Sequence, residues 1–308
     1  MSNIPIFLSS DNNYAPFVAT TMASILDNTK SFVDFYILDG GISKDNEEKI
    51  CELKKQFSNF SIEFLKINID KVFSKIDYSS AQDYISISTY NRFLIPDLKP
   101  NIDKALYSDV DVIFMDDIKK MYEEKLHEYS LGAIWEEYSE DCGNNEKKER
   151  MEISKGHKFF SAGNLLIDCK KWRENEITNK LFNIVYKYND RLVFHDMDVL
   201  NKYFDNNYKI LSPKYCWINQ DYEFYGQPKE QIVIRHFNGS VKPWQIAPEL
   251  KENPKLTFTL DKNKFWHYAK MTSFYDMLIK QITYRTNVDL HKFLVFKLLQ
   301  ERKDANTR

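Results

Sequence analysis

The sequence predicts an α/β fold built on a largely parallel central sheet flanked by helices, and three observations carry that expectation. Short apolar runs alternate with longer stretches of helical period through the first 67 residues. The intervening segments are long enough for crossover helices, which in parallel sheets are right-handed. The chain has 308 residues, 43% of them hydrophobic, so a substantial core can be buried, as one large domain or as a main domain with an appendage.

IPIFLSS reads as a buried strand, and after it Phe17, Val18, Thr21, Met22, Ile25 and Leu26 recur at helical spacing. FVDFYILD is the second strand. SKDNEEKICELKKQFS opens on a serine cap and places Ile50, Leu53 and Phe57 on one helical face, after which FSIEFLKI alternates as a third strand. Ligands of such sheets sit beyond the carboxyl ends of the strands, which makes SSDN, residues 9–12, a candidate binding edge.

Cys51, Cys142, Cys169 and Cys216 form no CxxC pair, so neither a zinc knuckle nor a disulfide framework is indicated and a reducing cytosol fits best. The first residues, MSNIPIFLSSDNN, carry no basic leader and do not read as a signal peptide. No window approaches the roughly 20 apolar residues that span a bilayer. The expectation is a cytoplasmic protein, soluble or peripheral at the inner face of the cell membrane, with no nucleic-acid partner.

The net charge of −2 hides an asymmetry. Residues 262–308 hold ten Lys or Arg against four Asp or Glu, interleaved with aromatics, so residues 261–308 are read as a basic, aromatic helical extension. Two readings stay open. In one, Phe274, Tyr275, Leu278 and Phe296 enter a lipid interface while the cations meet anionic headgroups. In the other, a helix packs on the domain with a solvated basic face.

None of the eight glycines forms GxGxxG or GxxxxGK[ST], so a nucleotide's phosphates would need another holder. Asp109 and Asp111 follow the strand-like KALYS, and residues two apart on an extended strand point the same way. Two carboxylates there suit Mg²⁺ or Mn²⁺, which can offset a diphosphate's charge as it leaves. The same spacing also describes an exposed turn. RHFNGSVKPW, after the strand-like QIVI, adds His236 as a nitrogen ligand, Gly239 for close backbone approach to a phosphate, and Lys242 as a point charge.

Together these segments resemble glycosyltransferase family 8, the retaining nucleotide-sugar transferases that include bacterial lipooligosaccharide galactosyltransferases and glycogenin. The resemblance runs from about Ile4 to Trp244 through SSDNNYA, YISISTYNRFLIPDL, LYSDVDVIF, FFSAGNLLIDCKKWR, HDMDVLN and HFNGSVKPW, in the family's order. It implies a GT-A catalytic domain over residues 1–260, a UDP-galactose or UDP-glucose donor, Mn²⁺, and a saccharide acceptor that is lipid-linked or protein-linked. It implies Asp109, Asp111 and His236 as metal ligands. Ser9, Asp11, Asn13, Tyr14, Arg92 and Val110 would line the nucleotide side, Gly239 and Lys242 would close over the diphosphate, and Ser161, Ala162, Gly163, Asp196 and Met197 would meet the sugar. Asp196, Asp198 and Lys242 are the implied catalytic residues. Read without the resemblance, Arg92 is a surface ion pair and Asp196 a helix cap.

Two departures bear on mechanism. Ser161 stands where the family commonly has Asn, which shortens a sugar contact, and Met197 stands where it commonly has Gln. A thioether carries no charge and accepts hydrogen bonds only weakly, which argues against a covalent intermediate at that position and leaves a contribution to neighbouring Asp196 or Asp198. The resulting expectation is same-face substitution with an α-linked product. The rival readings are a metal-dependent phosphohydrolase, which needs further ligands from HDMD, and a catalytically silent nucleotide-sugar-binding protein. Residues 136–158 are expected to form an exposed excursion, and Tyr84, Phe194, Trp217 and Tyr222 are candidates to stack on acceptor sugars.

Overall fold

The structure is a computed structural model that describes residues 3–67, 87–137 and 144–285. Tyr84, Cys142, Phe296 and the rest of residues 286–308 lie outside the described residues.

Seven strands form the main sheet: β1 (Ile4–Ser10), β2 (Val33–Asp39), β3 (Phe60–Lys66), β4 (Lys104–Ser108), β6 (Leu131–Trp135), β7 (Phe160–Asp168) and β8 (Lys209–Leu211), in the order β3-β2-β1-β4-β7-β6-β8. The pairings from β3 to β4 are parallel, as is β6 with β8, while β7 runs antiparallel to both of its neighbours. Alternate side chains of the central strands feed opposite faces. Ile6, Leu8 and Leu106 join one buried cluster, and Phe7, Ala105 and Tyr107 join the other.

Local chemistry fixes the turns at the carboxyl edge. Asp11 Oδ1 accepts from the N–H groups of Asn13 and Tyr14 at 2.9 and 3.0 Å, turning the chain out of β1 into the helix Ala15–Asn28. Pro16 sits in that helix's first turn, where its missing N–H costs nothing. Asp39 Oδ1 accepts from Gly41 and Ile42 in the same way after β2, and Gly41 takes φ +113°, a conformation open to glycine. Ser43 then caps the helix Lys44–Cys51 as expected, its side chain accepting from Asn46 N–H.

A separate ribbon carries the site. β5 (Val112–Phe114) pairs antiparallel with β9 (Ile234–His236), and the register sets His236 opposite Val112, one residue after Asp111. The expectation that Asp109 and Asp111 share a strand is corrected: β4 ends at Ser108, and Val110 and Asp111 lie in a bend before β5. Asp109 N–H donates to Gly163 O at 2.8 Å, which anchors that bend on β7.

Residues 262–285 continue the first cluster. The helices Lys262–Ala269 and Tyr275–Arg285 and the turn between them bury Phe265, Trp266, Ala269, Phe274, Leu278 and Ile282, and Trp266 Nε1 donates to Ile246 O at 3.0 Å. Phe274 and Leu278 are therefore core residues and not lipid anchors, because both are 1% exposed against the domain. No helix among the described residues is long and apolar enough to cross a membrane. The excursion after Glu136 is also only partly exposed: it contains the helix Asn144–Arg150, and Met151, Ile153 and His157 are buried. Trp217 and Tyr222, expected to stack on sugars, instead form a small buried cluster with Ile232 and Leu260.

Candidate active site

Asp109, Asp111 and His236 come together, each offering one ligand atom, with those atoms within 4.8 Å of one another. His236 Nε2 lies 3.1 Å from Asp111 Oδ1 and 4.0 Å from Asp109 Oδ2. That span is close to what one divalent ion bridges at about 2.1 Å per bond, and two carboxylates with an imidazole suit Mg²⁺ or Mn²⁺. The backbone opposite is shaped for the cluster. A Cβ on Gly163 would stand 2.6 Å from His236 Cε1 and 2.9 Å from Asp109 Oδ2, so only glycine leaves those groups in place.

Charge holds the cluster from both sides. Lys242 Nζ lies 2.5 Å from Asp111 Oδ2 and also donates to Phe237 O at 2.8 Å. Burial raises the cost of ionising Asp111, yet Lys242 and His236 outweigh it and hold the carboxyl well below the usual range. For His236, burial disfavours the cation, but Asp111, with help from Cys216, raises its pKa well above the ordinary value.

Arg92 is not a surface group. It is 7% exposed, its Nη2 lies 3.1 Å from Asp109 Oδ1, its Nη1 lies 2.9 Å from Asp196 Oδ2, and Nη1 also donates to Ala162 O at 2.5 Å. Tyr107 Oη donates to the same Asp109 oxygen at 2.7 Å, so Oδ1 is saturated and Oδ2 is left toward His236. Asp196 accepts from Thr89 Oγ1 as well, and burial pushes its carboxyl up to about 6 despite Arg92. It begins the helix Asp196–Tyr203 directly after His195, which takes φ +44° with its Nδ1 2.9 Å from Tyr90 Oη.

Asp198 is a correction. It is 0% exposed, Arg150 Nη2 meets its two oxygens at 2.9 and 3.0 Å, and the N–H groups of Val193 and Phe194 both donate to Oδ2 at 2.8 Å. A carboxylate so enclosed braces the turn that presents Asp196 and does not reach a reacting group. Met197 is half-buried against the second cluster. Ser9 Oγ donates to Ser88 O at 3.2 Å, while Asp11, Asn13 and Tyr14 form the capped turn after β1. Gly239 is exposed at φ +82° on the loop between His236 and Lys242. Ser161 and Cys216 lie side by side beneath His236, with Cys216 Sγ 3.9 Å from Ser161 Oγ and 3.6 Å from His236 Nδ1.

Sequence reasoning missed Thr89, Tyr107, Arg150 and Cys216. Tyr107 precedes Asp109 by two residues, a spacing that could have placed it on the same side. Thr89 lies three residues before Arg92 and accepts from its guanidinium, a local pairing, whereas Arg150 and Cys216 meet the site across long stretches of chain and left no local signal.

The model of "Glycosyl transferase family 8" matches residues 5–247. The chain belongs to that family. Membership makes it a glycosyltransferase, which implies a nucleotide-sugar donor and a saccharide acceptor. General stress protein A of Bacillus subtilis (strain 168) is 28% identical over 283 residues, covering 85% of this chain and 92% of that protein. The lipopolysaccharide 1,2-glucosyltransferase of Escherichia coli (strain K12) is 25% identical over 259 residues, covering 78% and 73%. Among solved structures, the galactosyltransferase LgtC in complex with donor and acceptor sugar analogs superposes with a TM-score of 0.76 at 24% identity, covering 88% of this chain and 96% of that one. This family 8 transferase thus has the GT-A fold of LgtC, with a mixed but mostly parallel seven-stranded sheet.

Proposed function

We propose that this family 8 member is a retaining hexosyltransferase that moves galactose or glucose from a UDP-sugar to a saccharide acceptor of a cell-surface glycan or glycoprotein, forming an α-linkage. The observation that carries the reading is the convergence of Asp109, Asp111 and His236 beside two buried cations, Arg92 and Lys242. It is the arrangement a site needs to receive a diphosphate through a divalent ion.

Asp109, Asp111 and His236 would hold Mn²⁺ or Mg²⁺. Such an ion, when bound, neutralises charge on the departing diphosphate. Lys242 exchanges its contact with Asp111 for a diphosphate oxygen, which is the point-charge role suited to an ammonium. Arg92 keeps Asp109 and Asp196 oriented, and Asp196 meets the sugar hydroxyls. Met197 offers no charge and no strong acceptor, which supports same-face substitution. The bond from the anomeric carbon to the diphosphate oxygen breaks, the acceptor oxygen bonds from the same face, and its proton passes to the leaving diphosphate.

The assay is release of UDP from UDP-galactose and UDP-glucose with Mn²⁺, with and without candidate glycans, followed by NMR of the product. Acceptor-dependent release with an α-linkage is expected, and a β-linked product from the α-linked donor overturns the mechanism. Metal-dependent UDP-sugar binding with no release in either arm would overturn the transfer reading in favour of a silent nucleotide-sugar-binding protein. The phosphohydrolase reading loses ground because Asp198, one of its extra ligands, is committed to Arg150. The cellular setting we infer is the cytoplasmic face of the membrane, reached through residues beyond 285.

A further inference from the structure

We propose that Cys216 is a positioning residue for His236, fixing the imidazole so that Nε2 faces the cation site. The inference rests on the metal reading above. The two ring nitrogens have different surroundings: Nε2 faces Asp111 and Asp109, while Nδ1 lies 3.6 Å from Cys216 Sγ, within reach of a bond to sulfur. A histidine whose Nε2 offers its lone pair to a metal carries its proton on Nδ1 and needs an acceptor there, and outer-shell acceptors of this kind orient the ring. Carboxylates or carbonyls commonly fill that place, and here a thiol does.

The backbone keeps the two residues in register. Trp217 N–H donates to Ile234 O, and His236 N–H donates back to Trp217 O at 2.9 Å, so the residue after Cys216 is clamped to the strand carrying His236. Arg235 adds to that clamp, its Nη1 donating to both Trp217 O and His236 O. On the ring's other flank, Gly163 leaves room for Cε1 and nothing more. Cys216 itself is 3% exposed. Its sulfur sits beside the nitrogen turned away from the carboxylates, so it acts through His236 and not as a fourth ligand.

The test uses the full chain and Mn²⁺ alone, titrated by EPR in the absence of donor. Cys216→Ala should weaken Mn²⁺ binding by roughly ten- to a hundredfold, the range for loss of an outer-shell partner. It should raise the Mn²⁺ concentration needed for half-maximal transfer while sparing kcat at saturating Mn²⁺. Cys216→Ser, which restores an acceptor, should recover much of the affinity. Wild-type protein that binds no Mn²⁺ overturns the metal reading itself. Wild-type binding with an unchanged constant in Cys216→Ala overturns only the role of Cys216. Should the alanine variant not fold, Cys216→Val, which fills the space without offering an acceptor, takes its place beside Cys216→Ser: Mn²⁺ binding weakened in the valine variant alone is expected, and equal binding in the two rejects the proposal.

Discussion

Lys242 Nζ sits 2.5 Å from Asp111 Oδ2, on the carboxylate whose other oxygen faces His236 at 3.1 Å. Two cationic groups thus converge on Asp111, whereas Asp109 shares its cation, Arg92, with Asp196. The two aspartates of the motif therefore differ in what their loss exposes. Asp111→Asn leaves Lys242 without an anionic partner and His236 with only the longer 4.0 Å contact to Asp109, and should cost about 3 kcal/mol of stability. Asp109→Asn leaves Arg92 paired with Asp196 and should cost distinctly less. Both should lose Mn²⁺-dependent UDP binding and transfer. Urea midpoints at neutral pH, read beside Mn²⁺ titrations, check this, and equal stability losses would show that the asymmetry has no energetic meaning.

Gly163→Ala tests the cradle without touching a ligand. The new methyl would stand 2.6 Å from His236 Cε1 and 2.9 Å from Asp109 Oδ2, so both ligands must turn away. Because β7 pairs with β4 from Asn164 onward and with β6 on either side of a register shift, and Gly163 O accepts from Asp109 N–H, the side chains should move before the strand does. Mn²⁺ affinity should fall at least about tenfold, in the range that misplaced ligands produce. A calorimetric titration showing wild-type affinity would mean the site can open at no cost.

Asp221 supplies a pH dependence away from the cation site. Burial pushes its carboxyl up to about 6, against the hydrogen bond from Ile218 N–H, with Glu136 and Glu137 adding to the rise and Arg235 opposing it. A folded-state pKa above the unfolded value of 3.8 means this group's contribution is full below about pH 4 and is lost as pH rises through 6. A shift of that size corresponds to about 3 kcal/mol as an upper bound. Asp221→Asn keeps an oxygen for Ile218 N–H and cannot ionise. It should be more stable than wild type at pH 7.5, by roughly a third as much at pH 4.5, and nearly equal at pH 3.5. Parallel denaturation curves across that range would remove Asp221 from the account.

Most of the first half of the sheet was legible because its pattern is local. Ile6 and Leu8 alternate with Phe7, Ser43 caps a helix, and the crossovers repeat, so period and caps point to one answer. The cation triad was legible through the resemblance, since Asp111 and His236 are 125 residues apart and only the pairing of β5 with β9 brings them together. What stayed hidden was the second layer. Nothing near Cys216 announces that it will lie under His236, and Asp198 looks like Asp196 in HDMD until burial separates them. Composition also misled at Phe274 and Leu278, because aromatics among lysines suit an interface and a packed amphipathic helix equally well.

The last prediction separates those two readings of the basic tail. Phe265 is 2% exposed and packs at 5.6 Å between ring centroids against Trp244, two residues after Lys242, while Trp266 is bonded to Ile246. A chain ending after Asp261 loses these contacts together with Phe274 and Leu278, and it should fail to fold. Phe265→Ala alone should cost about 3 kcal/mol and reduce affinity for UDP by loosening the segment that carries Lys242. A chain ending after Arg285 keeps the whole described C-terminal packing and should fold with an unchanged melting temperature and unchanged Mn²⁺ binding. Of the ten basic residues beyond position 261, five lie beyond 285, with three acidic ones among them. That is a modest electrostatic excess, so attachment to anionic liposomes would be salt-sensitive and would rely on apolar side chains as well. Sedimentation with such liposomes should recover the full chain at low salt and leave the shortened one in solution. If the shortened chain still sediments, the membrane contact belongs to the folded domain and the tail has another use.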